Sequence, residues 1–338
     1  MLNKNRKRFL KHGILVPQSG QRPYGAHHAL AHDLAGLSSS PTESSEQAFI
    51  REVTESSAHT VLISSETLWP VLGVPAQAER LIGCLRSLDL DITVVAYLRN
   101  QPQYLNSSYV QNMKTWLRAD EFPAFAQRAR SNQGKYSYSH WIAFAQRHRV
   151  EMLARPFSEP VRRLGVTRDF LATIGLSATD SFDTAIERNV AVGPFSVEVA
   201  RRLLRRMGGP NKLTRAQADQ CRSALRSELK TRGIEDHGYC GLTTSFAAEV
   251  EAQFADDNSL ISHFAWGKPW QDVFAFDVGQ SFEPNDYSVT GVPADRRQLL
   301  GEVLDSLEPK VDAILSNSVL GTRKPSRMLS ALKSRLSR

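Results

Sequence analysis

The segment DITVVAYLRNQPQYLNSSYVQ, residues 91–111, joins an apolar run to a polar stretch with helical spacing. Its first part, DITVVAYL (91–98), is rich in β-branched and apolar residues, as is typical of a strand covered on both faces. HTVLISSE (59–66) and VEMLAR (150–155) have the same character. The sequence therefore predicts three strands of a parallel sheet.

The segment between the first two runs, VPAQAERLIGCLRSLDL (74–90), predicts a helix. Pro75 suits a first helical turn, and apolar residues recur at helical spacing at Leu81, Cys84, Leu85 and Leu88. Strand, helix and strand make a βαβ unit, which needs a right-handed crossover. From about residue 166 helical patterns dominate. We expect an α/β core over residues 1–165, a helical part over 166–320 packed on it, and a basic tail over 321–338.

The net charge of +7 resides at the two ends of the chain. Residues 1–12 carry five basic residues and residues 321–338 carry six, with no acidic residue in either stretch. The remainder is mildly acidic, so we expect no nucleic acid as a partner. The tail sequence SRMLSALKSRLSR can form a basic amphipathic helix, which is either a solvated tail or a weak contact with an anionic membrane surface.

The composition favours a soluble cytoplasmic protein, peripheral to a membrane at most. The three cysteines have neither disulfide-framework nor zinc-cage spacing. No apolar run approaches the roughly 20 residues of a membrane span. His27, His28 and His32 put two imidazoles at i, i+4, which suits either a metal or ordinary helix contacts. No acidic third ligand accompanies them, so we expect no metal.

Polar residues follow two of the predicted strands. Glu66 follows the first, Arg99 and Asn100 follow the second, and Ser107 and Tyr109 come about two helical turns later. Ligands of parallel sheets lie beyond the carboxyl ends of the strands. If the strands are neighbours, Glu66 and Arg99 face one cleft, where a guanidinium and a hydroxyl can hold a phosphate. The alternative is a surface ion pair with purely structural roles.

The stretch VVAYLRNQPQYLNSSYVQ resembles the segment of sulfotransferases that binds the 3′-phosphate of 3′-phosphoadenosine 5′-phosphosulfate. There a strand is followed by an arginine, by a serine eight positions on and by a tyrosine two further on, which Arg99, Ser107 and Tyr109 match. Further segments resemble the bacterial sulfotransferase-like family with P-loop fold. In chain order these include GILVPQSG, HWIAFAQRHRVEMLARPF, RDFLATIGL and FADDNSLISHFAWG. Together they cover about residues 10–275.

The resemblance implies a P-loop-type core, the phosphosulfate nucleotide as co-substrate and a hydroxyl of a carbohydrate or glycolipid as acceptor. Arg99, Ser107 and Tyr109 would bind the nucleotide. Glu66 stands where the family places its catalytic base, and its alternative role is a structural pair with Arg99. Arg155 and Asn258 recur in the family pattern, but either could simply brace the helices.

The sequence departs from the family at its start, because the strand and the Gly/Thr-rich loop that cradle the phosphosulfate are not found. GQRPYGAH (20–27) has alanine and histidine where that loop needs lysine and serine or threonine. We expect either that the true start lies upstream of Met1 or that the chain is truncated and inactive. The alternative function is a non-catalytic nucleotide- or glycan-binding protein. A kinase is less favoured, since a Walker lysine and a magnesium-binding acid are not found.

Overall fold

The computed structural model describes residues 1–21, 25–37, 44–116, 118–131, 133–176, 182–183 and 192–321. These residues are mostly helical and include small two-stranded parallel sheets. The predicted tail beyond residue 321 and residues 38–43 lie outside the described residues. Among the described helices, none combines the length and the apolar composition that a membrane crossing requires.

The strands and helices of the described residues are numbered in chain order. The strands are β1 (Ile14–Leu15), β2 (Thr60–Val61), β3 (Thr93–Leu98) and β4 (Glu151–Pro156). The helices are α1 (Leu2–Lys11), α2 (His28–Leu34), α3 (Ser45–Thr54), α4 (Leu68–Leu72), α5 (Pro75–Arg86), α6 (Gln101–Lys114), α7 (Phe122–Ser131), α8 (His140–His148), α9 (Glu159–Leu164), α10 (Val166–Thr173), α11 (Pro194–Arg206), α12 (Arg215–Thr231), α13 (Thr244–Gln253), α14 (Ala255–Trp266), α15 (Trp270–Val273), α16 (Tyr287–Thr290) and α17 (Ala294–Gly321).

The chain divides into two compact units. Unit 1 comprises Met1–Asn100, Ser137–Arg188 and Glu251–Gln280, and unit 2 comprises Gln101–Tyr136, Asn189–Val250 and Ser281–Arg338. The predicted boundary at residue 165 falls within unit 1.

The strands of unit 1 form two parallel pairs. β1 pairs with β2, and β3 pairs with β4 over six residues, with Tyr97 opposite Arg155. The three predicted strands are present and the β3–β4 pairing is parallel as expected. The expectation of one sheet holding all three is wrong for the described residues, because β2 pairs with β1 instead. β1 escaped prediction because it has two residues and is soon followed by Pro17, which has no N–H to donate to a ladder.

A core of buried apolar residues in unit 1 is built on α2, α5 and α8. α5 begins at Pro75 as predicted, and its Leu81 and Ile82 are buried beside Trp141 of α8. Val94 of β3 and Met152 of β4 pack against the same cluster. One face of the β3–β4 pair is therefore held on this core, which fixes where the strand ends lie.

Unit 2 is a helical body built on α6, α7, α11, α12 and α17. Its core includes Met113, Phe195, Leu203, Leu225 and Val303, all of which are buried. α12 begins with a capping box in which Thr214 accepts from the backbone N–H of Gln217, and the Gln217 side chain accepts from the N–H of Thr214. The helical character predicted for residues 166–320 is confirmed for the described residues of that range.

Candidate functional site

The carboxyl ends of β3 and β4 lie side by side in unit 1. β3 ends at Leu98 and β4 at Pro156, and these two residues are paired in the ladder. The backbone N–H of Phe157 then donates to the carbonyl of Leu98 at 2.6 Å. The residues that follow the two strands, Arg99 and Phe157, are thereby brought to one edge of the pair, where ligands of parallel sheets bind.

Arg99 lies over the aromatic ring of Phe157. Its guanidinium carbon is 4.3 Å from the ring centroid, and its carbonyl accepts a hydrogen bond from the Tyr138 hydroxyl at 2.7 Å. A second guanidinium, that of Arg162, lies 5.9 Å from the same centroid. The α9 residue Arg162 donates to the Phe157 carbonyl at 2.9 Å and to buried Asp277 at 2.6 Å. Two cations thus share one ring at the strand ends, and the sequence pointed only to Arg99.

Asn100 connects these strand ends to the segment that holds α13, α14 and α15. The side chain is 1% exposed, and its amide N–H groups donate to Glu251 at 2.9 Å and to the Asp277 carbonyl at 3.2 Å. Its amide oxygen accepts from the indole of Trp270 at 3.2 Å. Asn100 therefore places the Glu251 carboxylate relative to the end of β3.

Beside Glu251 lies a cavity of about 310 Å³, formed wholly by unit 1. One wall is Trp270, which is 4% exposed and stacks on Phe274 with ring centroids 4.2 Å apart. Asn258, which the resemblance singled out, is 3% exposed and also lines it. The cavity is at the lower end of the size range of small-molecule sites. No sequence pattern indicated Glu251, because an isolated glutamate on a helix carries no signal.

Glu66 lies in the turn after β2, and its side chain is exposed. Between the described residues Glu66 and Arg99 the structure shows no ion pair. Next to Glu66, the Ser65 hydroxyl lies 2.8 Å from Nδ1 of His28 and 2.6 Å from the Thr67 hydroxyl. We expected Glu66 and Arg99 to face one cleft if their strands were neighbours. In the structure β2 and β3 belong to different sheets and do not pair.

Ser107 and Tyr109 lie on α6 and belong to unit 2, whereas Arg99 belongs to unit 1. Residues two positions apart on a helix point in different directions. Ser107 is half-buried, whereas Tyr109 is fully buried. The Tyr109 hydroxyl donates to the Asp120 carbonyl at 2.8 Å and accepts from Arg201 at 3.3 Å. Burial raises the pKa of Tyr109, so the phenol stays protonated. Its contacts are those of a core residue, and the predicted nucleotide-binding role of both stays a prediction.

The imidazole just before α2 is held by residues that follow β1 and β2. His27, just before the helix, is fully buried: the N–H of Ser64 donates to its Nδ1 at 3.1 Å, and its Nε2 lies 3.0 Å from the Pro17 carbonyl. Burial lowers the pKa of His27, which keeps the ring neutral. His27 therefore ties the carboxyl ends of β1 and β2 together. Among the described residues, no three histidine, cysteine or acidic side chains are grouped as a metal site requires.

Arg155 links β4 to helix α10, in keeping with the bracing of helices that was one of its two expected roles. Its guanidinium donates to both oxygens of Asp169 on α10, at 2.6 and 3.1 Å, and the Tyr97 hydroxyl donates to the same carboxylate at 2.6 Å. These hydrogen bonds explain the position of the Arg155 guanidinium without any ligand.

Comparison of this chain with protein families, with curated proteins and with solved structures gives no match. The function therefore has to be argued from the residues and their geometry.

Proposed function

We propose that this protein is a sulfotransferase-related enzyme with a P-loop-type core. It would transfer a sulfuryl group from 3′-phosphoadenosine 5′-phosphosulfate to a hydroxyl of a carbohydrate or glycolipid. The observation that carries the proposal is the arrangement around Arg99. A strand of a parallel pair ends, the arginine follows at its carboxyl end, and the helix with Ser107 and Tyr109 begins two residues later. This is the order of elements that the sequence resemblance implies.

In the proposed reaction the acceptor oxygen attacks sulfur while the bond between sulfur and the phosphate oxygen breaks. The acceptor proton passes to Glu66, and 3′,5′-adenosine bisphosphate leaves with the bond's electron pair. The resemblance implies that Arg99, Ser107 and Tyr109 bind the nucleotide, with Arg99 and Ser107 at its 3′-phosphate. A guanidinium suits this task because it forms charge-assisted, bidentate bonds to phosphate oxygens.

A second candidate is a non-catalytic protein that binds a nucleotide or glycan. The observations that favour it are the exposed position of Glu66 and the full burial of Tyr109, since neither side chain has the surroundings of a working catalytic or phosphate-binding group. Both candidates keep a ligand site at the end of β3, and they differ in whether transfer occurs.

Calorimetry with 3′,5′-adenosine bisphosphate tests the nucleotide site. We expect micromolar binding, weakened about tenfold or more by Arg99→Ala because charge-assisted hydrogen bonds are lost. The matched control is Arg163→Ala: this side chain is 80% exposed and pairs with Glu159 on its own helix, so its removal should leave binding unchanged. No binding at millimolar nucleotide would contradict the proposal.

Transfer from radiolabelled donor to a panel of glycans then separates the two candidates. Glu66→Gln should abolish transfer and retain nucleotide binding, whereas Glu55→Gln, an exposed glutamate on the loop after α3, should change neither. Nucleotide binding by the wild type without transfer to any acceptor would favour the non-catalytic candidate.

A further inference from the structure

The cavity beside Glu251 is lined by a carboxylate, an imidazole and an ammonium group. Glu251 comes from α13, His263 from α14, and Lys268 from the turn between α14 and α15. Both Glu251 and Lys268 line the cavity, and the structure shows no ion pair between these two described side chains. Glu251 is half-buried and Lys268 is exposed, so a ligand in the cavity can reach both the carboxylate and the ammonium group. A ligand that carries both a positive and a negative charge would pair with each of these groups.

Contacts outside the cavity hold the Glu251 carboxylate and the backbone of Lys268 in place. Glu251 accepts from Asn100 at 2.9 Å and from the N–H of Gly279 at 3.3 Å, which orients its carboxylate. α14 ends at Gly267, whose φ of 62° is in the left-handed region that favours glycine. The buried Ser262 hydroxyl then donates to the carbonyl of Lys268. The positions of both residues are therefore set by contacts outside the cavity.

The other residues that line the cavity are apolar and polar, which suits a small, partly apolar molecule. Trp270 supplies a rigid aromatic wall, and Asn258 and Ser259 supply polar groups on one face of α14. A volume of about 310 Å³ is too small for most drug-sized ligands and suits a metabolite of few heavy atoms. Electrostatic complementarity then selects among small metabolites.

We propose that this cavity binds a small zwitterion of the α-amino-acid class. The ligand ammonium would lie at Glu251, and the ligand carboxylate would lie at Lys268 and His263. The ligand side chain would lie against Trp270. Asn100 acts as a positioning residue, because it orients Glu251 without lining the cavity. The inference does not depend on the proposed sulfuryl transfer, since no residue of the transfer scheme lines the cavity.

The test is saturation-transfer NMR and calorimetry on the full chain with the individual L-amino acids at up to millimolar concentration. For the tightest binder, the carboxamide removes the negative charge and the N-acetyl form removes the positive charge. We expect each derivative to bind about tenfold more weakly or worse, as the loss of a charge-assisted contact implies. D-glucose serves as the uncharged probe.

Matched variants assign the charges to residues. Glu251→Gln should weaken the parent amino acid but not its N-acetyl form, whereas Glu249→Gln, an exposed position on the same helix and outside the lining, should change neither. Lys268→Gln should weaken the parent but not the carboxamide. Ser259→Trp should fill the cavity and abolish binding, and Leu260→Trp, on an adjacent position that is 59% exposed and outside the lining, should not.

Two results would overturn the inference: no amino acid binds, whether or not glucose does, or both derivatives bind as well as the parent. The derivative series uses the wild-type protein, so the test holds even if Glu251→Gln fails to fold. Nucleotide binding is measured separately with 3′,5′-adenosine bisphosphate, and its failure would leave the zwitterion result intact.

Discussion

Arg201 and Asp286 form a fully buried ion pair in unit 2. The guanidinium donates to the two carboxylate oxygens at 2.8 and 3.3 Å, and the two side chains are 1% and 0% exposed. The Tyr239 hydroxyl donates to the same carboxylate at 2.8 Å, and Glu198 accepts from Arg201 at 3.0 Å. Although burial by itself raises the pKa of Asp286, the hydrogen bonds from Arg201 and its neighbours lower it below the ordinary value.

Removing one partner of this pair should be strongly destabilising. Asp286→Ala leaves the Arg201 charge buried with Glu198 as its remaining anion, and we expect a loss of about 3–5 kcal/mol in the free energy of unfolding. Urea unfolding measures it. The control is Glu121→Ala, which breaks the exposed pair with Arg205 and should cost no more than about 1 kcal/mol. Equal losses for the two variants would contradict the expected role of burial.

Glu228 on α12 should make unfolding depend on pH in acid. Its carboxylate accepts from Lys310 of α17 at 2.7 Å and from Arg232 at 2.8 Å, and these bonds lower the pKa of Glu228 to about 2. The unfolded chain has a glutamate pKa of about 4.3. The stabilisation is therefore complete above that value and is lost as the pH falls towards 2.

The measurement is the urea midpoint of wild type minus that of Glu228→Gln between pH 2 and pH 7. We expect the difference to be constant above about pH 5 and to shrink steadily below it. A difference that did not vary with pH would show that the carboxylate charge contributes nothing to unfolding.

Local patterns predicted the elements of this chain better than their assembly. β3, β4 and α5 were predictable because a continuous apolar run, or Pro75 followed by apolar residues at helical spacing, decides each within a few residues. The division of the strands into two sheets was not predictable, because strand pairing depends on residues far apart in the chain and β1 has only two residues. The position of Arg99 at the end of β3 was likewise predictable from the apolar run before it. The contact of Glu251 with Asn100 was not, because it joins residues far apart in the chain.

The burial of neighbouring arginines on α11 could not be predicted from local sequence either. The sequence VARRLLRR predicts a basic amphipathic helix but not which arginine is buried. In the structure Arg201 has a side-chain exposure of 1% and its neighbour Arg202 one of 46%. The deciding partner, Asp286, lies 85 positions along the chain. Only the tertiary fold brings the two together.

Tyr97, Arg155 and Asp169 should behave as one energetic unit. Tyr97 and Arg155 are opposite each other in the β3–β4 ladder, and both donate to Asp169, which is 5% exposed. Tyr97→Phe should cost about 1 kcal/mol and Asp169→Ala about 2–3 kcal/mol in the free energy of unfolding. The double variant should cost less than the sum by at least about 0.5 kcal/mol, because the shared hydrogen bond is removed only once. Strict additivity in urea unfolding would contradict the coupling.

Pro309 lies inside α17 and its side chain is exposed. A proline there has no N–H for the helical hydrogen bond, and its ring crowds the carbonyl four residues earlier, at a cost of about 3 kcal/mol in a regular helix. Leu307 and Val311, on either side of it, are buried in the core of unit 2. Alanine at this exposed position restores the N–H and removes the ring without replacing either buried side chain, so Pro309→Ala should raise the free energy of unfolding by about 1–3 kcal/mol. The control Asp305→Ala, at an exposed position one turn earlier, should stay within about 0.5 kcal/mol of wild type. A stability of Pro309→Ala equal to or below that of the wild type would contradict the expected cost of the proline.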